Sequence, residues 1–551
     1  MKKPGKIVAT RRDFIKGVSL AAGAGILMGC SPKTVVTGSP TVSATASSTD
    51  PVATGTAENC ETELMKFFAS SAAESEPITE AADGGEYEVI VVGAGTGGVP
   101  CAVKACQDGA KVLLLQKEIA PISQGMNGAG ILLEESDPQA VWRWVEGWGE
   151  TTGFRADWDQ AKTYAYNSGE AFKWFYNEVN TIGECPINSS TWEADFGEGI
   201  GKVVSILVAT PKPVSYVNAV TSLVNAYSDK LDVRFSTPAV QLIVEGKKIT
   251  GVYAKDADGK YYKFTATKGV VLATGDYQNN APMVERYSPD IVNFDKKQSN
   301  KTGDGHLMAM AIGAQMEPPM HMKMMHDNDT GPMGNEPFLR VDIFGNRFMN
   351  EEAKVNYMSA LMRSYGPGEA GHFCQVWDSD YINQVTEWGG KPTAEEDMQK
   401  YMPEVEMSER PGVVASLVAL FKADTLDELA TKLGVPAENL KASVERYNQV
   451  VDSGTDEDFG KNPKYLKKIE KAPFFGVHKH VRASATFGGV ICNGDLQVLD
   501  ADRTPFENLY AIGNTSGQFF GCTDYPSFQN GISIGRCVTE GYYVGKLLAA
   551  K

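Results

Sequence analysis

The apolar positions change period along the chain, and each change marks an element. Residues 86–92 end in four consecutive β-branched residues, Val89-Ile90-Val91-Val92. A run that is apolar on both faces predicts a buried parallel strand. It leads into Gly93-Ala94-Gly95-Thr96-Gly97-Gly98 and then a stretch of small residues as far as Ala110, which predicts a closely packed helix. Residues 111–116 form a second apolar run, ending near Glu118. Shorter runs at 231–235, 239–244 and 249–253 predict further strands, and 268–276 another buried strand closing in a glycine turn. Residues 508–514 repeat that form close to the C-terminus.

The first of these units carries chemistry. Glu118 follows Gly93 by 25 residues, the spacing of a dinucleotide fingerprint. The glycines let backbone approach a pyrophosphate at a helix N-terminus, and the acid takes the ribose hydroxyls. A site assembled from both chain ends resembles the FAD domain of the glutathione-reductase type, not a compact NAD domain. The fold class expected is α/β, with a Rossmann-like FAD-binding domain.

The first thirty residues stand apart. Lys2, Lys3 and Lys6 precede Thr10-Arg11-Arg12-Asp13-Phe14-Ile15-Lys16, and a weakly apolar stretch follows at 17–29. This resembles a twin-arginine export signal. Leu27-Met28-Gly29-Cys30 resembles a lipoprotein cleavage box with Cys30 as the lipidated residue. The stretch is too short and glycine-rich to span a bilayer. Residues 31–57, rich in Ser, Thr, Ala, Val and Pro, read as a disordered tether. Residues 58–83 read as a lead-in with one short helix. The expected location is the outer face of the cytoplasmic membrane, held there by lipid.

Composition narrows the field. The 551 residues are 42% hydrophobic and 22% charged, which excludes wholesale disorder, collagen and coiled coil. A net charge of −17 argues against a nucleic-acid partner, which needs a basic surface. The nine cysteines form no CxxC or CxxCH, so zinc, iron–sulfur and haem gain no support and no metal is expected. Cys101 and Cys106 read as small packing residues on a helix.

Several segments together resemble the flavoprotein subunits of the fumarate reductase and succinate dehydrogenase family, including flavocytochrome-c-type fumarate reductases, urocanate reductase and ketosteroid dehydrogenases. They are the fingerprint, Ala273-Thr274-Gly275-Asp276, Thr302-Gly303-Asp304-Gly305, the stretch from Gly345 to Glu351, Thr486-Phe487-Gly488-Gly489-Val490 and Leu509 to Gly513. The resemblance covers residues 84–551. It implies an FAD-binding domain from 84–334 and 476–551, with an inserted α+β capping domain at 335–475. Cofactor contacts carry over to Gly93, Gly95, Gly98, Lys117, Glu118, Asn127, Gly128 and Val240. They continue at Ala273, Thr274, Gly275, Asp304, Gly513, Asn514, Ser533 and Ile534.

Departures from the pattern narrow the chemistry. The family's HTMGG stands here as Ala485-Thr486-Phe487-Gly488-Gly489, and its later arginine falls at Asp524 or Tyr525. The capping-domain arginine falls near Tyr381-Ile382. Fumarate is therefore a poor substrate, because a dicarboxylate needs paired charge-assisted bonds. Tyr525-Pro526 with Gly531 onward resembles the ketosteroid-dehydrogenase C-terminus, which implies a tyrosine hydroxyl and a glycine N–H gripping a carbonyl oxygen; a turn packing on the flavin is the other reading. Tyr357 is the candidate proton donor, or a core tyrosine of the cap. Glu351 and Lys354 are a candidate relay, or an ion pair on one helix face. Arg536 is read as binding either an anionic substrate group or the flavin. Met316, Met320, Met322, Met324 and Met325 line a pocket or fill the core.

The expected protein is an exported FAD oxidoreductase acting on a conjugated C=C bond. Electrons pass to or from an external redox partner near the membrane, quinol-linked or a small flavin or cytochrome protein. A ketosteroid-type dehydrogenase running oxidatively, a fumarate-reductase-like enzyme and a non-catalytic flavoprotein are the alternatives.

Overall fold

β1 (Ala82–Val92) lies at the centre of the main sheet, paired in parallel on one side with β2 (Val112–Leu115) and on the other with β4 (Tyr261–Leu272). These contacts come from a computed structural model. It describes residues 65–551 apart from 198, 212–214, 327–330, 335, 354, 366–369, 405–418, 522, 523 and 527. The expected leader, Cys30, the tether and Lys354 lie outside the described residues.

Alternation along β1 explains its central place. Ile90 and Val92 enter one hydrophobic cluster, while Val89 and Val91 enter another on the opposite face. Both faces are therefore covered, as a parallel sheet requires. β3 (Asp232–Arg234) extends the sheet beyond β2. β5 (Pro505–Ala511), from the far end of the chain, pairs in parallel with β4 at Leu509–Val270. The sheet order β3-β2-β1-β4-β5 thus joins the two ends that the apolar runs marked out.

α1 (Gly98–Gln107) follows β1, and α2 (Ile532–Ala550) closes the chain. The two cross on small residues. A Cβ at Gly541 would lie 2.2 Å from the Gly97 carbonyl oxygen, and one at Gly545 would lie 2.5 Å from that of Cys101. Cys101 is fully buried in this contact, and burial pushes its thiol pKa well up, so it packs and stays protonated.

Of the expected lead-in, residues 58–64 lie outside the described residues, and 65–68 are helical. The Ser71 hydroxyl and the Ala72 N–H both donate to Asp304 Oδ1, at 2.7 and 3.0 Å, and these bonds turn the chain out of the helix. β1 then begins at Ala82, inside the segment expected to be lead-in.

The capping region holds a four-stranded antiparallel sheet: Leu339–Val341, His372–Trp377, Phe474–His480 and Leu420–Ala423. Helices Leu426–Leu433 and Ala437–Ser453 supply apolar residues to the cluster on one face. The sheet continues past residue 475 to His480. Among the described residues no helix is long and apolar enough to cross a membrane.

Candidate active site

One cavity of about 700 Å³ opens at the C-terminal ends of β1, β2 and β4, where open α/β sheets bind ligands. The local chain path forces it. The Gly93 N–H donates to Leu115 O at 2.7 Å, and the Ala273 N–H to Val92 O at 2.8 Å, so three strand ends are tied together. Gly93 has φ +109°, and a Cβ there would lie 2.3 Å from the Ala273 carbonyl oxygen. A Cβ at Gly98 would lie 1.8 Å from Gly93 O. These two positions exclude any side chain.

Of the expected cofactor residues, the cavity is lined by Gly93, Gly95, Lys117, Asn127, Ala273 and Thr274. Gly275, Asp304, Gly513, Asn514, Ser533 and Ile534 line it too. Gly98, Gly128 and Val240 are buried just behind the wall and serve packing; Pro238 and Ala239 take the place expected for Val240. Glu118 is a correction. β2 ends at Leu115, so the residue leaving the strand end into the cavity is Gln116, which is buried and lines it, whereas Glu118 does not. The cavity wall at the end of β2 therefore carries an amide, which offers a donor and an acceptor but no charge.

The lining carries four cations that sequence spacing largely missed. Lys117 donates to Asp304 Oδ2 at 2.9 Å and Thr302 Oγ1 at 2.7 Å. Burial pushes the Asp304 carboxyl up, but Lys117 and the surrounding hydroxyls outweigh it and hold the carboxyl below its ordinary range. Lys297, Lys301 and Arg482 complete the set, against two lining carboxylates, Asp276 and Asp304. Burial lowers the Lys301 pKa, an effect opposed by Asp276; burial raises that of Asp276, opposed by Lys301. A cationic excess in a low-dielectric cleft favours a diphosphate. Asn300 Oδ1, Ser484 Oγ and Asn514 Oδ1 are buried in the lining without a protein hydrogen bond, and buried acceptors of this kind are completed by a ligand or water. Glycine cradle, cations and open acceptors together fit FAD.

The remaining wall is apolar. Tyr525 lines the cavity with Phe487, Ala485 and Met324. Its ring lies 6.0 Å from that of Phe487 and 5.8 Å from that of Phe520. Burial pushes the Tyr525 phenol far up, opposed by the Ser533 N–H, so the hydroxyl keeps its proton at neutral pH. Gly531 lines the same cavity at φ +77°, just before α2. The methionine cluster divides: Met324 faces the cavity, while Met322 and Met325 are core.

Three expected catalytic residues lie elsewhere. Tyr357 is 62% exposed and absent from the cavity wall, since it lies on the outer side of helix Val355–Tyr365. Glu351 is buried in the cap, paired with Arg347 at 2.9 Å and Lys461 at 3.4 Å; Arg347 also holds Asp456 at 2.8 Å. That closed charge network gives Glu351 a structural role. Arg536 is fully buried on the inner face of α2. Its Nε donates to Glu540 Oε1 and one terminal amino group to the Ser516 carbonyl, both at 2.7 Å. Glu540 Oε2 in turn accepts the Gly513 N–H at 2.6 Å. Arg536 therefore holds the Gly513 turn in place from behind the cavity lining, and its other terminal nitrogen, Nη1, is buried without a protein hydrogen bond.

A buried polar cluster backs the wall. Tyr277 donates to His321 Nδ1 at 2.7 Å, and His321 Nε2 donates to the Glu317 carbonyl at 2.8 Å. A Cβ at Gly488 would lie 2.0 Å from His321 Cγ, which accounts for that glycine. Burial pushes the Glu317 carboxyl from 4.5 up to about 7. A raised folded-state pKa gives stability that is complete below the unfolded value and lost as pH climbs toward the folded one, here between about 4.5 and 7. Glu317→Gln, which mimics the protonated acid, is expected to raise stability at pH 8 by roughly 3 kcal/mol and to change little at pH 4.5. Denaturant unfolding at the two pH values measures this, and an equal effect at both would refute it.

Comparison with known proteins gives the same picture. The FAD binding domain family matches residues 88–527. Vinyl phenol reductase from Lactiplantibacillus plantarum is 28% identical over 504 residues, covering 84% of this chain and 95% of its own. The open form of a flavocytochrome c3 fumarate reductase superposes with a TM-score of 0.64 at 23% identity, over 85% of this chain and 79% of that one. A 3-ketosteroid Δ1-dehydrogenase from Sterolibacterium denitrificans, complexed with 1,4-androstadiene-3,17-dione, superposes at 0.62 and 22% identity, over 84% and 99%. The fold expected from the motifs is thus the fold observed.

Proposed function

The chain belongs to the FAD binding domain family, and from that premise we propose that it is an exported reductase of C=C bonds conjugated to a carbonyl, carboxyl or lactone group. It is an FAD-dependent oxidoreductase. The observation that carries the finer reading is the presence of Tyr525 and Gly531 in the same cavity as the dinucleotide fingerprint. FAD, when bound, supplies the hydride.

The protein's own residues do the rest. Tyr525, kept protonated by burial, offers its O–H to the oxygen of the conjugated group, with the Gly531 N–H as second donor. Hydrogen bonding at that oxygen stabilises the negative charge that develops as the β-carbon gains hydride, and a solvent-derived proton reaching the α-carbon completes the reduction. Phe487, Met324 and the Tyr525 ring favour an apolar or aromatic body on the alkene and exclude water. The vinyl phenol reductase relative, covered almost end to end, supports action on an alkene attached to an aromatic ring.

The leader supports export, with Cys30 as lipid anchor and electrons drawn from a separate membrane-linked donor. The deciding experiment is anaerobic. Photoreduced protein is mixed with unsaturated acids, phenylpropanoids and enones, and flavin absorbance is followed. Reoxidation by at least one conjugated alkene, faster than in buffer, is expected. Reoxidation by none of them, with flavin reduction by saturated ketones instead, would replace the reductase reading with a dehydrogenase.

A further inference from the structure

We propose that Asp295, His372 and His480 bind one divalent transition-metal ion of the zinc class at the seam between the capping and FAD-binding domains. His372 and His480 lie directly opposite each other on neighbouring antiparallel strands of the capping sheet. Their ring centroids are 3.7 Å apart.

Asp295 comes from the other domain. The Ala483 N–H donates to its carbonyl at 2.8 Å, and the neighbouring Phe294 ring lies 3.1 Å from where a Cβ on Gly371 would sit. This brings the carboxylate against the histidine pair. His480 Nε2 and Asp295 Oδ2 are 3.6 Å apart, too far for a hydrogen bond. That separation is close to the edge of roughly 3.4 Å between ligands of a tetrahedral zinc ion bound at about 2.05 Å. One ligand atom from each of the three residues lies within 4.8 Å of the others.

The donor set chooses the metal. Two imidazoles and one carboxylate suit zinc and its neighbours, whereas calcium and magnesium require oxygen ligands throughout. His480 is buried and the Asp295 side chain is 71% exposed, which gives the ion a route in and leaves a fourth position to water. The site also adjoins the cavity along the chain. Lys297 and Arg482, each two residues beyond a ligand, are in the cavity lining. A bound ion would tie the two domains together where the chain passes from one to the other.

The test uses the full chain with flavin loaded. Protein is stripped with a chelator, equilibrated with zinc alone by dialysis, and assayed for zinc and flavin. One zinc per chain is expected. Asp295→Asn, a solvent-facing change, and His372→Asn should each weaken uptake at least about 100-fold. His478→Asn, at a neighbouring histidine outside the set, should leave it intact. Flavin absorbance confirms that each variant is folded. Either of two results overturns the site: no zinc on the wild-type chain at micromolar concentrations, or zinc retained by the Asp295→Asn/His372→Asn double variant.

Discussion

A Gly95→Val chain is expected to fold and to elute without flavin. Gly95 lines the cavity at the turn from β1 into α1. A Cβ there would lie 3.1 Å from the Ile122 carbonyl oxygen, a close contact that a small shift relieves. The two further methyl groups of valine have to enter the space where the pyrophosphate passes, so the cofactor is blocked while the fold is spared. Gly98 is a poorer choice, since a Cβ 1.8 Å from Gly93 O damages the backbone itself. FAD affinity should fall at least about 100-fold, about 2.7 kcal/mol. The ratio of flavin to protein absorbance reads the loss, and thermal unfolding confirms the fold. A chain that retains full flavin would place the pyrophosphate elsewhere.

Tyr525→Phe is expected to slow turnover on the order of 10²–10³-fold while flavin stays bound. The ring packs between Phe487 and Phe520, and phenylalanine preserves that packing, so the change removes only the hydroxyl. If the hydroxyl acts on developing charge, kcat falls and substrate affinity changes little. If Tyr525 is a packing residue, rate and affinity both stay near wild type. Tyr357→Phe is the matched control: its exposed position away from the cavity predicts near-normal turnover. Stopped-flow reoxidation of the two variants separates the outcomes.

The elements that could be read from the chain were those whose signals are local. Val89–Val92, the glycine turn and the small-residue helix each carry their own pattern, and together they placed the fingerprint. Residues 508–514 could be paired with 268–276 because both are apolar runs ending in a glycine turn. The failures share another cause. Gln116 and Glu118 differ only in where β2 stops, and that is set by pairing of Leu115 with Val92. Tyr357, Glu351 and Arg536 are chemically suited to catalysis. Their actual places are fixed by which helix face turns inward and which distant partner is waiting: Lys461 for Glu351, Ser516 for Arg536. Lys297, Lys301 and Arg482 lie outside the quoted motifs, Lys301 directly before Thr302, and only tertiary folding converges them on the cavity. The same holds for His372 and His480, which are neighbours across strands and 108 positions apart in the chain.

Strand β5 and helix α2 lie about four hundred residues downstream of the glycine loop, yet Gly513, Asn514, Tyr525 and Ser533 form part of the cavity. A nascent chain truncated before residue 512 therefore has its glycine loop but only half a site. Colour then reports the joining of the two segments: a chain stalled or clipped between them stays pale however well its upstream half has folded.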